Sequence, residues 1–214
     1  KVEKLDAEKK EVILTDGSVF SYDKCIYALG SSSFIPPFKG KDLPEVVSIR
    51  AIKDVEKVKE LAKGAQNAVV IGGGVLGLEA AWELRKAKLN VTVLEGAPVL
   101  MAGKVDPETV RILTDVAKQK GIEIKVGVKI DEISGAEHVD GVVADGEKIA
   151  ADLVLVSTGV RANIGIAKDA GLVTDRAVIV DKNMASSVAG IYAAGDCAQF
   201  DGANITIWPV ASEM

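Results

Sequence analysis

The stretch NAVVIGGGVLGLEAAWELRKAKLNVTVLE, residues 67–95, restricts the fold more than any other part of the chain. NAVVI is short, apolar and β-branched, as a buried strand requires. It runs straight into Gly72, Gly73, Gly74 and Gly77, and an Ala- and Leu-rich helix follows to about Lys88. A second apolar strand then stops at Glu95.

Gly72, Gly74 and Gly77 stand in G-x-G-x-x-G order around Val75 and Leu76, with Gly73 as a spare. The first glycine permits a tight strand-to-helix turn, the second lets a pyrophosphate approach bare backbone, and the third lets helix and strand pack closely. The helix then aims its free N–H groups and positive dipole end at the phosphates. Glu95 lies 23 positions after Gly72, at the tip of the second strand. A carboxylate there accepts hydrogen bonds from both hydroxyls of an adenosine ribose and repels a 2′-phosphate. Gly96-Ala97-Pro98 follows it, and the nearest cation is Lys104, so the expected cofactor is NADH rather than NADPH.

Further along, Asp106-Pro107 reads as a helix cap with Pro at the first helical position, and the helix runs to Gly121. IEIKV (122–126) is a third strand, 128–150 alternate in short pieces, and LVLVSTG (153–159) closes the unit. Residues 51–64 have helical spacing with a Gly stop, and 31–45, rich in Ser and Pro, read as a connection between layers.

One phrase is written twice. DGSVFSYDKCIYALG (16–30) and DGEKIAADLVLVSTG (145–159) share Asp, Gly, Asp and Gly at four places, 129 positions apart. Residues 1–30 therefore match the back end of the unit that spans 67–159. Their own Gly turn is expected about 60 residues before Lys1, so the chain reads as a piece of a longer one.

Hydrophobic residues make up 48% of the 214 residues and aromatics only 4%, which suits a Gly-punctuated α/β protein with a sizeable core. The formal charge of −5, with no basic cluster, argues against nucleic acid as a partner. The longest uncharged stretch at the first Gly cluster, 68–78, is too short to span a bilayer, and the charged N-terminus resembles no targeting peptide. Two separated cysteines, Cys25 and Cys197, give neither a disulfide framework nor a CxxC pair, so a cytoplasmic location is expected. With His138 as the one histidine, neither a zinc site nor a Ser-His-Asp set can be built, and no metal is expected.

A second half-site reads GIYAAGDCA (190–198), where a strand ends at Gly195-Asp196. Together with the motifs above, this makes the whole chain resemble the FAD-dependent pyridine nucleotide-disulfide oxidoreductase superfamily. The similarity is greatest to NADH:rubredoxin reductases and the flavoprotein portion of nitrite reductase. The resemblance implies a Rossmann-like NAD(P)-binding domain, a parallel sheet plus an antiparallel β-meander, inserted in an incomplete FAD-binding domain. It implies an FAD-domain part at 1–47, the NAD(H)-binding domain at 48–159 and a truncated FAD-domain C-terminal part at 160–214.

By the same resemblance, Ala28-Leu29-Gly30 matches the family's A-T-G strand end near FAD, with Leu29 for Thr, and Ser157-Thr158-Gly159 is its NAD-domain counterpart. Asp196, after Gly195, matches the Asp that hydrogen-bonds the ribityl chain of FAD. Trp208-Pro209 matches a W-P near the flavin ring, and Glu79 an acid near the nicotinamide. Val160-Arg161-Ala162-Asn163 resembles a G-V-R-P-N stretch, with Ala162 for Pro.

The implied activity is hydride transfer from NADH to FAD, then electron transfer to an acceptor such as a rubredoxin-like protein or a nitrite reductase module. The cofactors carry that chemistry, so no catalytic side chain is expected. The fragment by itself is expected to be inactive, and its exposed sheet edge suits a homodimer. Two other readings stay open: an isolated NAD-binding or sensing module, and an enzyme of the NADH oxidase or CoA-disulfide-reductase type. A single-cofactor dehydrogenase ranks low, because no substrate domain or catalytic His or Lys pattern is present.

Overall fold

The computed structural model describes residues 1–214, which divide into two compact units: 1–32 with 160–214, and 33–159. The chain begins with β1 (Val2–Asp6), β2 (Glu11–Leu14) and β3 (Val19–Ser21), an antiparallel meander in that order. The Asp16 carboxylate accepts the Ser18 N–H at 2.9 Å and shapes the turn between β2 and β3. Next come β4 (Cys25–Tyr27) and β5 (Ser31–Ser33). β5 lies in the Ser-rich run that reads as a connection, because an all-serine triplet offers no apolar alternation to mark it.

The second unit holds β6 (Val46–Val47), α1 (Ile52–Ala62), β7 (Asn67–Ile71), α2 (Val75–Lys86), β8 (Asn90–Glu95), α3 (Pro107–Gln119) and β9 (Ile122–Val126). β10 (Ile130–Gly135), β11 (Val139–Ala144), β12 (Glu147–Ala150) and β13 (Leu153–Val156) complete it. Five strands form a sheet in the order β6-β13-β7-β8-β9, and the pairs within it are parallel. In register, Val156 pairs with Ile71, Ile71 with Leu94, and Glu95 with Val126. β10, β11 and β12 make a separate antiparallel meander.

Alternation along the strands sorts side chains between two layers. Ala68, Val70, Val91, Val93, Leu153 and Leu155 pack with Val58 of α1, Ala81 and Leu84 of α2 and Ala117 of α3. Val69, Ile71, Leu94, Val154 and Val156 pack instead with Ile133, Val139 and Val142 of the meander. Both faces are therefore covered, which explains why β7 and β13 read as continuous apolar runs. Each fully buried Val or Leu contributes about 1.5–3 kcal/mol of transfer free energy.

Helix starts follow local chemistry. The Asp106 carboxylate accepts the N–H groups of Glu108 and Thr109, each at 3.0 Å, ahead of Pro107. The Asp54 carboxylate reaches back to the N–H groups of Arg50 and Ala51 at 2.9 and 2.8 Å, at the start of α1. Residues 33–47, placed with the first segment by sequence, group with the second unit, since Val46 and Val47 pair with Val154 and Leu155 as its edge strand.

The first unit resumes with β14 (Val160–Ala162), α4 (Gly165–Asp169), β15 (Val178–Val180), β16 (Ile191–Ala193), β17 (Ala198–Phe200) and α5 (Trp208–Glu213). β16 runs parallel to β4, and β15 parallel to β17. Leu5, Tyr27, Ala167, Val178, Ile191 and Cys197 share its core. The apolar stretches of the repeated phrase, CIY and LVLV, are thus both parallel strands, β4 beside β16 and β13 beside β7.

Candidate functional site

β7 is the pivot of the five-stranded sheet. The chain builds β8 and β9 on one side of it and then returns to lay β13 on the other. Strand order reverses beside the C-terminal end of β7, the place where open α/β sheets bind ligands. The glycine turn falls there.

Gly72 takes φ +118, a conformation strained for any side chain, and its N–H donates to the Leu94 carbonyl at 2.8 Å. A Cβ on Gly72 would run into the Ser157 carbonyl, and one on Gly77 into the Gly72 carbonyl. Helix α2, turn and strand can close only around hydrogens at these two positions. Gly73 is not spare: its N–H donates to Glu95 Oε2 at 2.6 Å, and an added Cβ would lie 2.6 Å from Leu100 Cδ2. Gly74 is the opposite case, for no heavy atom lies within 4 Å of a Cβ built on it. It caps the 12-residue helix α2 without any side-chain hydrogen bond, and Val75 and Leu76 behind it are exposed. The first turn of α2 therefore turns the positive end of its dipole toward open space.

Glu95 stands beside this turn. Besides Gly73, its carboxylate accepts the Ala97 N–H through Oε1 at 2.7 Å. A carboxylate offers about four acceptor positions, so two amides leave capacity for ligand hydroxyls. Glu79 is exposed further along α2, and Gly159 is exposed just past β13. The Gly159 carbonyl accepts the Phe34 N–H at 3.0 Å, and Thr158 Oγ1 donates to the Phe34 carbonyl at 2.6 Å. Residues 72–77 and Glu95 thus form one cluster, Gly159 ends the neighbouring strand, and Glu79 stands outside the Glu95 hydrogen bonds. Leu100 is the part of the cluster that sequence reasoning missed, and Ala97 and Ser157, named there only as neighbours of Glu95 and Gly159, also touch it.

In the other unit, Ala28 and Gly30 follow β4, while Gly195 and Asp196 follow the parallel β16, so both lie at C-terminal strand ends. Ala28 is exposed, and a Cβ on Gly30 would meet nothing within 4 Å. Asp196 is buried, and its Oδ2 accepts the Ser31 hydroxyl at 2.6 Å. Trp208, at the first position of α5, is 81% exposed.

Cys197 is fully buried, its Sγ 3.3 Å from the Tyr27 and Ala194 carbonyls, and burial pushes its thiol pKa up. Burial does the same to Cys25. Thiolate character is suppressed at both. His138 Nδ1 lies 2.6 Å from Glu45, whose carboxylate hydrogen bond raises the imidazole pKa. No group of three or more His, Cys, Asp or Glu is placed to hold a metal ion, and no helix is long and apolar enough to cross a membrane.

A doubly covered parallel sheet with a glycine turn, an uncapped helix start and a facing carboxylate at its switch point defines a dinucleotide-binding α/β protein. The family model for pyridine nucleotide-disulphide oxidoreductases matches residues 1–214, and the chain belongs to that family. It is 37% identical over 200 residues to a nitrite reductase [NAD(P)H] of Bacillus subtilis, covering 93% of this chain and 25% of that protein. It is 35% identical over 196 residues to a rubredoxin-NAD(+) reductase of Pseudomonas putida, covering 91% and 51%. Among solved structures, a ferredoxin reductase from Rhodopseudomonas palustris matches with a TM-score of 0.92 at 33% identity, covering 97% of this chain and 53% of that one. The chain thus spans between a quarter and about half the length of these relatives.

Proposed function

We propose that residues 33–159 bind NADH, and that the whole protein passes its hydride to FAD and then sends electrons to a small redox protein or a fused reductase module. One observation carries the nucleotide assignment: the Glu95 carboxylate is anchored on the Gly73 amide, beside a helix start that is uncapped and open over Gly74. A pyrophosphate fits where the Gly74 Cβ is missing, and the amides of Val75 and Leu76 are in the first turn facing it. Glu95 would take the ribose hydroxyls, Gly159 would border the nicotinamide half, and Glu79 would lie further along α2. Negative charge at Glu95 disfavours a 2′-phosphate, so NADH is preferred to NADPH.

For the flavin, Ala28, Gly30, Gly195, Asp196 and Trp208 are the residues of this chain that would hold it. A buried carboxylate and an open glycine at adjacent strand ends suit a polyhydroxyl chain. The flavin, when bound, supplies a two-electron acceptor that can pass electrons on. The acceptor proposal is supported by the relatives, which are named for nitrite reduction and rubredoxin reduction. Two free cysteines agree with a reducing, cytoplasmic setting.

The test is titration of the protein with each nucleotide, followed by thermal denaturation. NADH at 100 times its Kd should stabilise the nucleotide unit by about 2.7 kcal/mol. NADPH should need a higher concentration for the same shift, and Glu95→Ala should narrow that gap. An unchanged NADH/NADPH ratio in Glu95→Ala would remove Glu95 from the reading.

A further inference from the structure

We propose that Asn163 is a positioning residue for the flavin half-site, acting through Ser31 on the Asp196 carboxylate. The inference rests on the assignment of Asp196 to the flavin given above. Asn163 follows β14 and uses every polar group it has on one short segment. Its backbone N–H donates to the Gly30 carbonyl at 2.9 Å. Its side-chain Nδ2 donates to the Leu29 carbonyl at 2.8 Å. Its Oδ1 accepts the Ser32 hydroxyl at 2.8 Å, and its backbone carbonyl accepts the Tyr27 hydroxyl at 2.7 Å.

These four bonds clasp residues 27–32 on both sides of Ser31. Gly30 precedes it and is the conformationally loosest link in the segment. The Asn163 contacts to Leu29, Gly30 and Ser32 remove that freedom. Ser31 is 7% exposed and gives its proton to Asp196 Oδ2 at 2.6 Å; Asp196 is 8% exposed. A hydroxyl-to-carboxylate bond of this length is of the strong, charge-assisted kind. Ser31 therefore fixes one oxygen of the Asp196 carboxylate, and Asn163 fixes the segment that carries Ser31. A ligand hydroxyl approaching Asp196 meets an acceptor whose orientation is already set, which lowers the ordering cost of binding.

The experiment measures FAD affinity by flavin fluorescence on the full apo-protein for Asn163→Ala, Ser31→Ala, their double variant, Ser31→Thr and Asp196→Ala. Asn163→Ala and Ser31→Ala should each weaken FAD about tenfold, the scale of one hydrogen bond to a charged group. The double variant should be no weaker than the worse single one, because both act along one line. Ser31→Thr keeps the hydroxyl and should retain affinity. Without flavin, backbone amides of Ser31 and Ser32 should exchange with solvent faster in Asn163→Ala than in the parent. If Asp196→Ala weakens FAD while Asn163→Ala does not, or if the two single effects multiply, the positioning role is overturned. If Asp196→Ala leaves FAD affinity unchanged, the flavin assignment falls and this inference with it.

Discussion

Gly74 and Gly77 sit three residues apart in the same turn, yet alanine should do opposite things at the two. At Gly74 the backbone is at φ −81 and ψ −179, extended geometry that alanine adopts freely, and a Cβ there touches nothing within 4 Å. Alanine is a poorer N-cap than glycine by up to about 1 kcal/mol. Restricting the unfolded chain returns about 0.4–1 kcal/mol. The net change in stability should be under about 1 kcal/mol. The same methyl, however, occupies the space proposed for the pyrophosphate. Losing one amide-to-phosphate bond costs about 1.5–3 kcal/mol, which is at least about a tenfold loss of NADH affinity. At Gly77 the added methyl would collide with the Gly72 carbonyl, and α2 must lift from the sheet. Overpacking of this kind costs about 1–3 kcal/mol or more. Calorimetric titration with NADH and a thermal melt of each variant give both readings. Gly74→Ala should keep its melting temperature and lose NADH; Gly77→Ala should lose several degrees, at about 2–4 °C per kcal/mol. If Gly74→Ala binds NADH within about twofold of the parent, less than the smallest single hydrogen-bond loss, the pyrophosphate does not lie over Gly74.

Three further outcomes are expected. Asp106→Ala removes the acceptor for the N–H groups of Glu108 and Thr109 and should destabilise the nucleotide unit by about 1 kcal/mol in urea unfolding; no change would mean that water replaces the cap at no cost. The Glu45 carboxylate raises the His138 pKa above 6.5, so the pair adds stability that is complete below 6.5 and lost as pH rises through the folded value. A proton NMR titration should show the His138 midpoint falling back toward 6.5 in Glu45→Gln, and an unmoved midpoint would break the pairing. Cys197, buried and with its thiol pKa raised, should not react with a disulfide reagent until denaturant is added; labelling of the native protein at a free-thiol rate would contradict its burial.

The elements around the glycine turn were readable because their signals are local. β7 is a continuous apolar run with both faces covered, β9 alternates apolar and charged residues, and Glu95 ends β8 directly after its apolar Val93-Leu94. Asp106-Pro107 announces α3 by capping chemistry alone. Residues whose partners lie far away in sequence left no such trace. Val46–Val47 is a two-residue strand, too short to display a period, so the first boundary fell at 47 rather than between 32 and 33. Gly73 looked superfluous because its partners, Leu100 and the Glu95 side chain, lie well downstream. Ser31 and Asn163 act across separations of more than 130 residues, and a serine in a run of three serines carries no pattern at all.

The reciprocal bonds between Phe34 and residues 158–159 carry a consequence for how such a chain can be assembled. The two ends of the second unit are stitched to each other, Phe34 N–H to the Gly159 carbonyl and Thr158 Oγ1 to the Phe34 carbonyl. A segment whose two ends meet adds to its host only the closure of a short gap, so it behaves as an interchangeable cassette. Swapping 34–159 for a homologous segment that preserves this clasp should, if the proposed nucleotide site is right, exchange nucleotide preference without rethreading the rest of the chain.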